Sequence, residues 1–125
     1  MPTIHWSFLK KGNSAKPLWD RTYYDLLRIY ANELDKENTL LLVFGFSFAD
    51  EHLRDITLRA LKNPTLKLVI FAFNVDESKK FKAHFDGFYN VTIIHPVAGE
   101  VFGFDKLNST LIDVIQHQED LHASA

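Results

Sequence analysis

Three short apolar runs, separated from one another by helical patterns, constrain the fold of this chain most strongly. They lie at 39–46, 66–73 and 91–94, and in them apolar residues fill nearly every position instead of every second one. Each run is shorter than a typical helix and rich in β-branched or aromatic residues. This pattern predicts strands of a parallel sheet that is buried on both faces.

Apolar residues at helical spacing occupy the segments around these runs. The predicted helices span 22–34, 50–61, 77–84 and 105–117. The first would begin with Thr22 as N-cap and Asp25 three residues later, in an arrangement similar to a capping box. The last would turn its apolar positions inward, and these are Leu107, Leu111, Val114 and Ile115.

The alternation of helix and strand predicts an α/β fold with an open parallel sheet of about three strands flanked by helices. This is half of a doubly wound, Rossmann-like domain, so we interpret residues 1–125 as a single partial domain. Residues 1–21 are predicted to be an irregular N-terminal segment and residues 118–125 a frayed tail. So small a sheet leaves an apolar edge, which a second copy or an upstream half-domain would cover.

Composition excludes several classes of function. The net charge of −2, from 14 basic and 16 acidic residues, gives no general attraction to nucleic acid. The absence of cysteine excludes disulfides and thiolate zinc sites. The start has no apolar region typical of a signal peptide, and the longest apolar run is far short of the ~20 residues that span a bilayer. We therefore expect a cytoplasmic protein without a membrane segment.

The point where the first strand turns into the second helix is the best candidate for a binding site. Ligands of parallel sheets bind at the carboxyl ends of the strands, where Gly45 and Ser47 lie. Gly45 allows the backbone to approach a ligand, the Ser47 hydroxyl suits a phosphate or ribose, and the helix N-terminus favours an anion. The alternative is structural, with Gly45 in a tight turn and Asp50 as an N-cap.

Two segments give this region a resemblance to a known family. They are LLVFGFSFADEHLRDI and LKNPTLKLVIFAFN, and the preceding TYYDLLRIYANELDKENTLL is similar as well. Together they resemble the C-terminal half of the sirtuin-like domain found in many bacterial proteins, in which a buried strand is followed by Gly-Tyr/Phe-Ser-Phe, Asp-Glu-His and a helix. The resemblance is close over 22–74 and looser in the remainder.

The resemblance implies NAD as the cofactor. In sirtuins the segment equivalent to Gly45, Phe46 and Ser47 lines the dinucleotide, and Asn74 would contact the adenosine ribose. Phe46 replaces a threonine, so one hydroxyl contact is lost. The family includes NAD glycohydrolases and NAD-dependent deacylases, and bacterial relatives of this kind are thought to consume NAD in defence against phage.

The residues that the family uses for catalysis have no good counterpart here. The Gly-rich pyrophosphate loop is absent, and His5, in Thr3–Ser7, is only a weak candidate for the catalytic histidine because Trp6 stands in place of glycine. The chain is therefore expected to bind a nucleotide without complete catalysis. The alternative is a degenerate interaction or structural module. A signalling domain would need a phosphoacceptor Asp at a strand end, where Gly45 and Asn74 lie instead.

The run Asp50-Glu51-His52 could also be interpreted as a metal site. Adjacent residues of a helix point in different directions, whereas metal ligands on a helix favour i, i+4 spacing. We therefore predict that Asp50 caps the helix, that Glu51 is a first-turn acid, and that His52 packs against the strand end. No metal site is predicted.

Overall fold

The computed structural model describes residues 18–123 and shows an α/β fold. A three-stranded parallel sheet in the order β1-β2-β3 is flanked by helices, as predicted. In chain order the elements are α1 Leu18–Leu34, β1 Leu40–Phe44, α2 Glu51–Ala60, β2 Lys67–Phe71, α3 Val75–His84, β3 Val91–Ile94 and α4 Phe104–Ala123. None of these described helices is long and apolar enough to cross a membrane.

The main core covers one face of the sheet. Val43 of β1 and Leu68 and Ile70 of β2 point to this face and are buried. They belong to a single cluster with residues from each of the first three helices, namely Leu34, Ala60 and Phe81. Right-handed crossovers that advance along a sheet in one direction place their helices on the same face, which explains why α2 and α3 share this face.

The opposite face is covered only in part. Phe71 of β2 is buried there against Phe102, with ring centroids 5.5 Å apart. On β1, however, Leu40, Leu42 and Phe44 are 57%, 47% and 38% exposed. The prediction of a sheet buried on both faces is therefore wrong for β1, because α1, α2 and α3 all contribute to the core of the other face.

Two predictions at the ends of the described chain are also wrong. Helix α1 begins at Leu18, four residues before the predicted N-cap Thr22. No helix breaker lies between these residues, and Asp20 in the first turn suits the helix dipole. At the other end, α4 continues to Ala123, six residues beyond the predicted helix end at His117.

The inner face of α4 is only partly as predicted. Leu107 and Leu111 are half-buried, whereas Val114 and Ile115 are 56% and 60% exposed. The helix therefore packs through Leu107 and Leu111, whereas Val114 and Ile115 face solvent.

Candidate functional site

A cavity of about 410 Å³ opens at the carboxyl ends of β1 and β2. Aromatic rings form most of its wall, and the polar groups lie on the two turns that follow the strands and on the start of α3. The lining residues are Phe44, Gly45, Phe46, Ser47, Phe71, Phe73, Asn74, Glu77, Phe81 and Phe102. This is the position at which parallel α/β sheets bind their ligands.

The structure brings four of the residues singled out in the sequence into this one cavity. Gly45, Phe46 and Ser47 line it from the turn after β1, and Asn74 lines it from the turn after β2. They meet because β1 and β2 are parallel neighbours, with Phe44 paired to Phe71 in the last register position. The fifth residue, His5, lies outside the described residues.

The turn after β1 depends on two residues in the left-handed region of the backbone. Gly45 has φ 69°, a conformation that glycine adopts readily. Phe48 has φ 55°, which is unfavourable for a bulky residue, but its side chain is only 1% exposed. Its ring packs edge-on against Phe46 and Phe85, each at 5.0 Å between centroids. Burial of the Phe48 ring therefore stabilises the turn that contains Ser47.

Asp50 caps helix α2, as the structural alternative predicted. Its Oδ1 accepts hydrogen bonds from the backbone N–H groups of His52 and Leu53, at 2.9 and 3.2 Å. Its Oδ2 accepts from the Tyr23 hydroxyl at 2.5 Å. The chain's own carboxylate therefore occupies the α2 N-terminus, which makes it a poor site for a ligand anion.

The hydrogen bond between Tyr23 and Asp50 shifts both pKa values. The pKa of Asp50 lies below its usual value of 3.8, first because the Tyr23 hydroxyl donates to the carboxylate, and then because two backbone N–H groups do so. The same hydrogen bond, with the nearby negative charge, raises the pKa of Tyr23 to about 12. The pair thus favours an ionised Asp50 and a neutral Tyr23.

Asn74 caps helix α3 while it lines the cavity. Its Oδ1 accepts from the backbone N–H of Glu77 at 2.9 Å. Its side-chain NH₂ group makes no hydrogen bond to another described residue, so its two donors are available to a ligand. The α3 N-terminus, like that of α2, is therefore capped by the chain itself.

Glu77 is a cavity residue that the sequence analysis missed. Its side chain is 29% exposed and forms an ion pair with Lys80 at 2.8 Å. Among the lining residues it alone is charged, so the cavity carries a carboxylate and no cation. Its position three residues after the cap Asn74 was a possible signal, but an acid there is equally typical of an ordinary helix start.

The lining suits binding better than covalent chemistry. Planar aromatic walls can pack against a base, and the polar groups of Ser47, Asn74 and Glu77 can bond to hydroxyls. No histidine or lysine lines the cavity beside Ser47, so the lining offers this hydroxyl no general base. His52 is exposed instead of packed against the strand end, and the described residues contain no group of three His, Asp or Glu side chains that could hold a metal.

Comparison with protein-family models, curated proteins and solved structures finds no match for this chain. The choice of ligand for the cavity therefore rests on its lining residues and on the resemblance described above.

Proposed function

We propose that this cavity binds the nucleoside end of an NAD-type nucleotide, and that the chain is the C-terminal portion of a sirtuin-like module. One observation carries the proposal. Four residues that the sequence singled out, Gly45, Phe46, Ser47 and Asn74, line a single cavity at the carboxyl edge of the sheet. This placement is expected of a ligand site in a parallel α/β fold.

The size and lining of the cavity support a base and a sugar as ligand. Small-molecule sites are commonly about 300 to 1,000 Å³ and mostly apolar, with a few polar groups that fix orientation. Here the volume is about 410 Å³. The aromatic rings would pack against the adenine, while Ser47 and Asn74 would bond to ribose hydroxyls. Glu77 could accept a hydrogen bond from the same sugar.

The charges around the cavity favour the nucleoside over the pyrophosphate. Asp50 and Asn74 cap the two nearby helices, and Glu77, the one charged lining residue, is a carboxylate paired with Lys80. A phosphate group would therefore meet a carboxylate and two helix N-termini that are already capped. In the family that this chain resembles, the pyrophosphate is held by a Gly-rich loop in the first half of the domain. This agrees with a cavity that binds the nucleoside and not the pyrophosphate.

We assign no catalytic residue. Cleavage of the glycosidic bond of NAD requires stabilisation of positive charge on the ribose and a firm hold on the reacting bond. Ser47 and Asn74 could hold a ribose, but uniform binding of substrate and transition state does not raise the chemical rate. By resemblance, the module belongs with proteins that consume NAD in anti-phage defence, and this chain would contribute binding to such a reaction.

The second candidate is an interaction module that has kept the fold without the chemistry. The exposed apolar side chains of β1, Leu40, Leu42 and Phe44, favour it, because such a surface on a strand usually meets another polypeptide. This candidate predicts no nucleotide binding at the cavity.

Isothermal titration with ADP-ribose separates the two candidates. We expect weak binding by the wild-type chain and a loss of affinity of about tenfold in Ser47→Ala, which removes one hydrogen-bonding group. Gly45→Val should bind more weakly still, because it forces an unfavourable backbone at the cavity wall. Ser109→Ala, a matched change on exposed α4, should bind like the wild type.

Circular dichroism would show that each variant is folded before its affinity is compared. Equal binding by folded Gly45→Val and the wild type would contradict the assignment of the cavity. The absence of any binding by the wild type would favour the interaction module.

A further inference from the structure

The outer edge of β1 has no partner strand in the described chain. β1 pairs only with β2, and the backbone N–H of Lys67 donates to the carbonyl of Thr39 at 2.9 Å. Because backbone groups alternate in direction along a strand, Leu41 and Val43 also face β2. The N–H and C=O groups of the intervening residues therefore point outward, and these residues are Leu40, Leu42 and Phe44.

Within residues 18–123, this edge lacks the features that normally prevent strand pairing. Natural edge strands are commonly protected by lysine, proline, a bulge or a covering loop. β1 is Leu-Leu-Leu-Val-Phe and contains neither charge nor proline. Its outward-facing residues, Leu40, Leu42 and Phe44, are also the three with exposed apolar side chains.

The same edge is complementary to itself. If two copies of β1 pair antiparallel about a two-fold axis at Leu42, each Leu42 lies opposite its own counterpart, and Leu40 lies opposite Phe44. In that register, all three outward-facing residues form hydrogen-bonded pairs of the antiparallel type. Every cross-strand pair is apolar, so no charge repels another across the axis.

Helix α1 extends this surface beyond the strand. Tyr30 lines a groove of about 260 Å³ along β1, together with Leu53 of α2. Leu26 lies one turn before Tyr30 on the same face of α1 and is 58% exposed, and Ile29 beside it is 54% exposed. A stable interface buries about 1,200–2,000 Å² in total, more than a five-residue strand supplies alone, so the helix face is needed to complete it.

We propose that this chain forms a two-fold dimer in which the outer edges of β1 join the two sheets into one of six strands. The two α1 helices then flank the axis and pack through Leu26 and Ile29. A second copy fits because the edge is uncharged and self-complementary in register, and because Tyr30 of α1 lines the groove along it. The cavity lies at the carboxyl end of the sheet, and the dimer does not depend on nucleotide binding there.

Analytical ultracentrifugation of Leu42→Lys and Leu42→Glu, separately and mixed, tests this arrangement. The wild type should be dimeric. Each variant alone should have a dimer dissociation constant raised at least about tenfold, because like charges then face each other at the axis. The mixture should regain the dimer, since residue 42 of one copy meets residue 42 of the other. Val114→Lys, an equivalent change on exposed α4, should dimerise like the wild type.

Hydrogen exchange identifies the strand edge itself. The amides of Leu40, Leu42 and Phe44 should be protected in the dimer and exchange rapidly on dilution to monomer. A monomeric wild type would overturn the proposal, as would a dimer that Leu42→Lys leaves intact. Variants that fail to recover the dimer on mixing, or amides that stay protected in the monomer, would overturn it as well.

Discussion

At the scale of single residues, the turn after β1 combines a permissive backbone with a buried anchor. Gly45 supplies the positive φ at which the strand ends, and Phe48 is held in a similar conformation by burial of its ring. Ser47 lies between them, and its side chain makes no hydrogen bond to another described residue, so its position follows from its neighbours. The geometry of the candidate site thus depends on backbone conformation at Gly45.

Substitution of Gly45 by alanine measures this dependence. A Cβ at this position meets no atom within 4 Å, so any cost comes from the backbone at φ 69° and not from a clash. We expect the free energy of unfolding to fall by about 1 kcal/mol, as measured by urea denaturation. Gly103→Ala also places its methyl group in open space, at a φ outside the left-handed region. It should cost less than half as much, and equal losses in the two variants would contradict the role of Gly45.

At the scale of elements, the Tyr23–Asp50 hydrogen bond joins α1 to the start of α2. Its contribution to the free energy of unfolding depends on pH at two ends of the range, at low pH through Asp50 and at high pH through Tyr23. Asp50 has a lowered pKa in the folded chain, so its contribution is present above pH 3.8 and is lost as pH falls through the folded value. Tyr23 has a raised pKa, so its contribution is present below pH 10.0 and is lost as pH rises towards about 12.

Tyr23→Phe should therefore destabilise the chain only between these limits. Because the pair is only partly buried, we expect a loss of at most about 1 kcal/mol at neutral pH. The difference from the wild type should shrink below pH 3.8 and near pH 12, in denaturation curves recorded at each pH. Tyr89→Phe, at a tyrosine that is 80% exposed, is the control. A difference that stays constant across pH would show that the hydrogen bond does not couple these ionisations to folding.

The sequence predicts these elements well where local chemistry decides their ends. β3 spans Val91–Ile94 as predicted, and α2 begins after the Asp50 cap. The sequence does not show which face of β1 is covered, because Leu40 and Leu42 resemble Leu41 and Val43 in hydrophobicity. That difference depends on where the helices pack, which a continuous apolar run does not encode.

Most of the residues singled out for the candidate site could be proposed from the sequence, but one lining residue could not. Gly45 and Ser47 follow from the rule that ligands bind at the carboxyl ends of parallel strands, and the resemblance added Phe46 and Asn74. Glu77 was missed because its first-turn position is common to helices without any binding role. Its place in the cavity depends on how α3 leaves β2, which is a tertiary feature.

At the scale of the whole molecule, the described chain has one well-covered sheet face, one partly bare face and a cavity at the sheet's carboxyl edge. The bare part lies on β1, at the free edge of the sheet, and its last residue, Phe44, also lines the cavity. Binding of a nucleotide and association through the edge therefore share Phe44 and otherwise involve different residues.

Amide chemical shifts recorded by NMR during titration with ADP-ribose test whether the cavity binds the nucleoside end of the nucleotide. The largest changes should fall on Gly45, Ser47, Asn74 and Glu77, because these residues line the proposed nucleoside site. Asn90 is buried on the loop before β3, and its side-chain amide donates hydrogen bonds to three backbone carbonyls. The amide chemical shift of Asn90 should not change. Shift changes confined to the four cavity residues would support nucleoside binding in the cavity. Shifts clustered elsewhere, or none at saturating ligand, would contradict it.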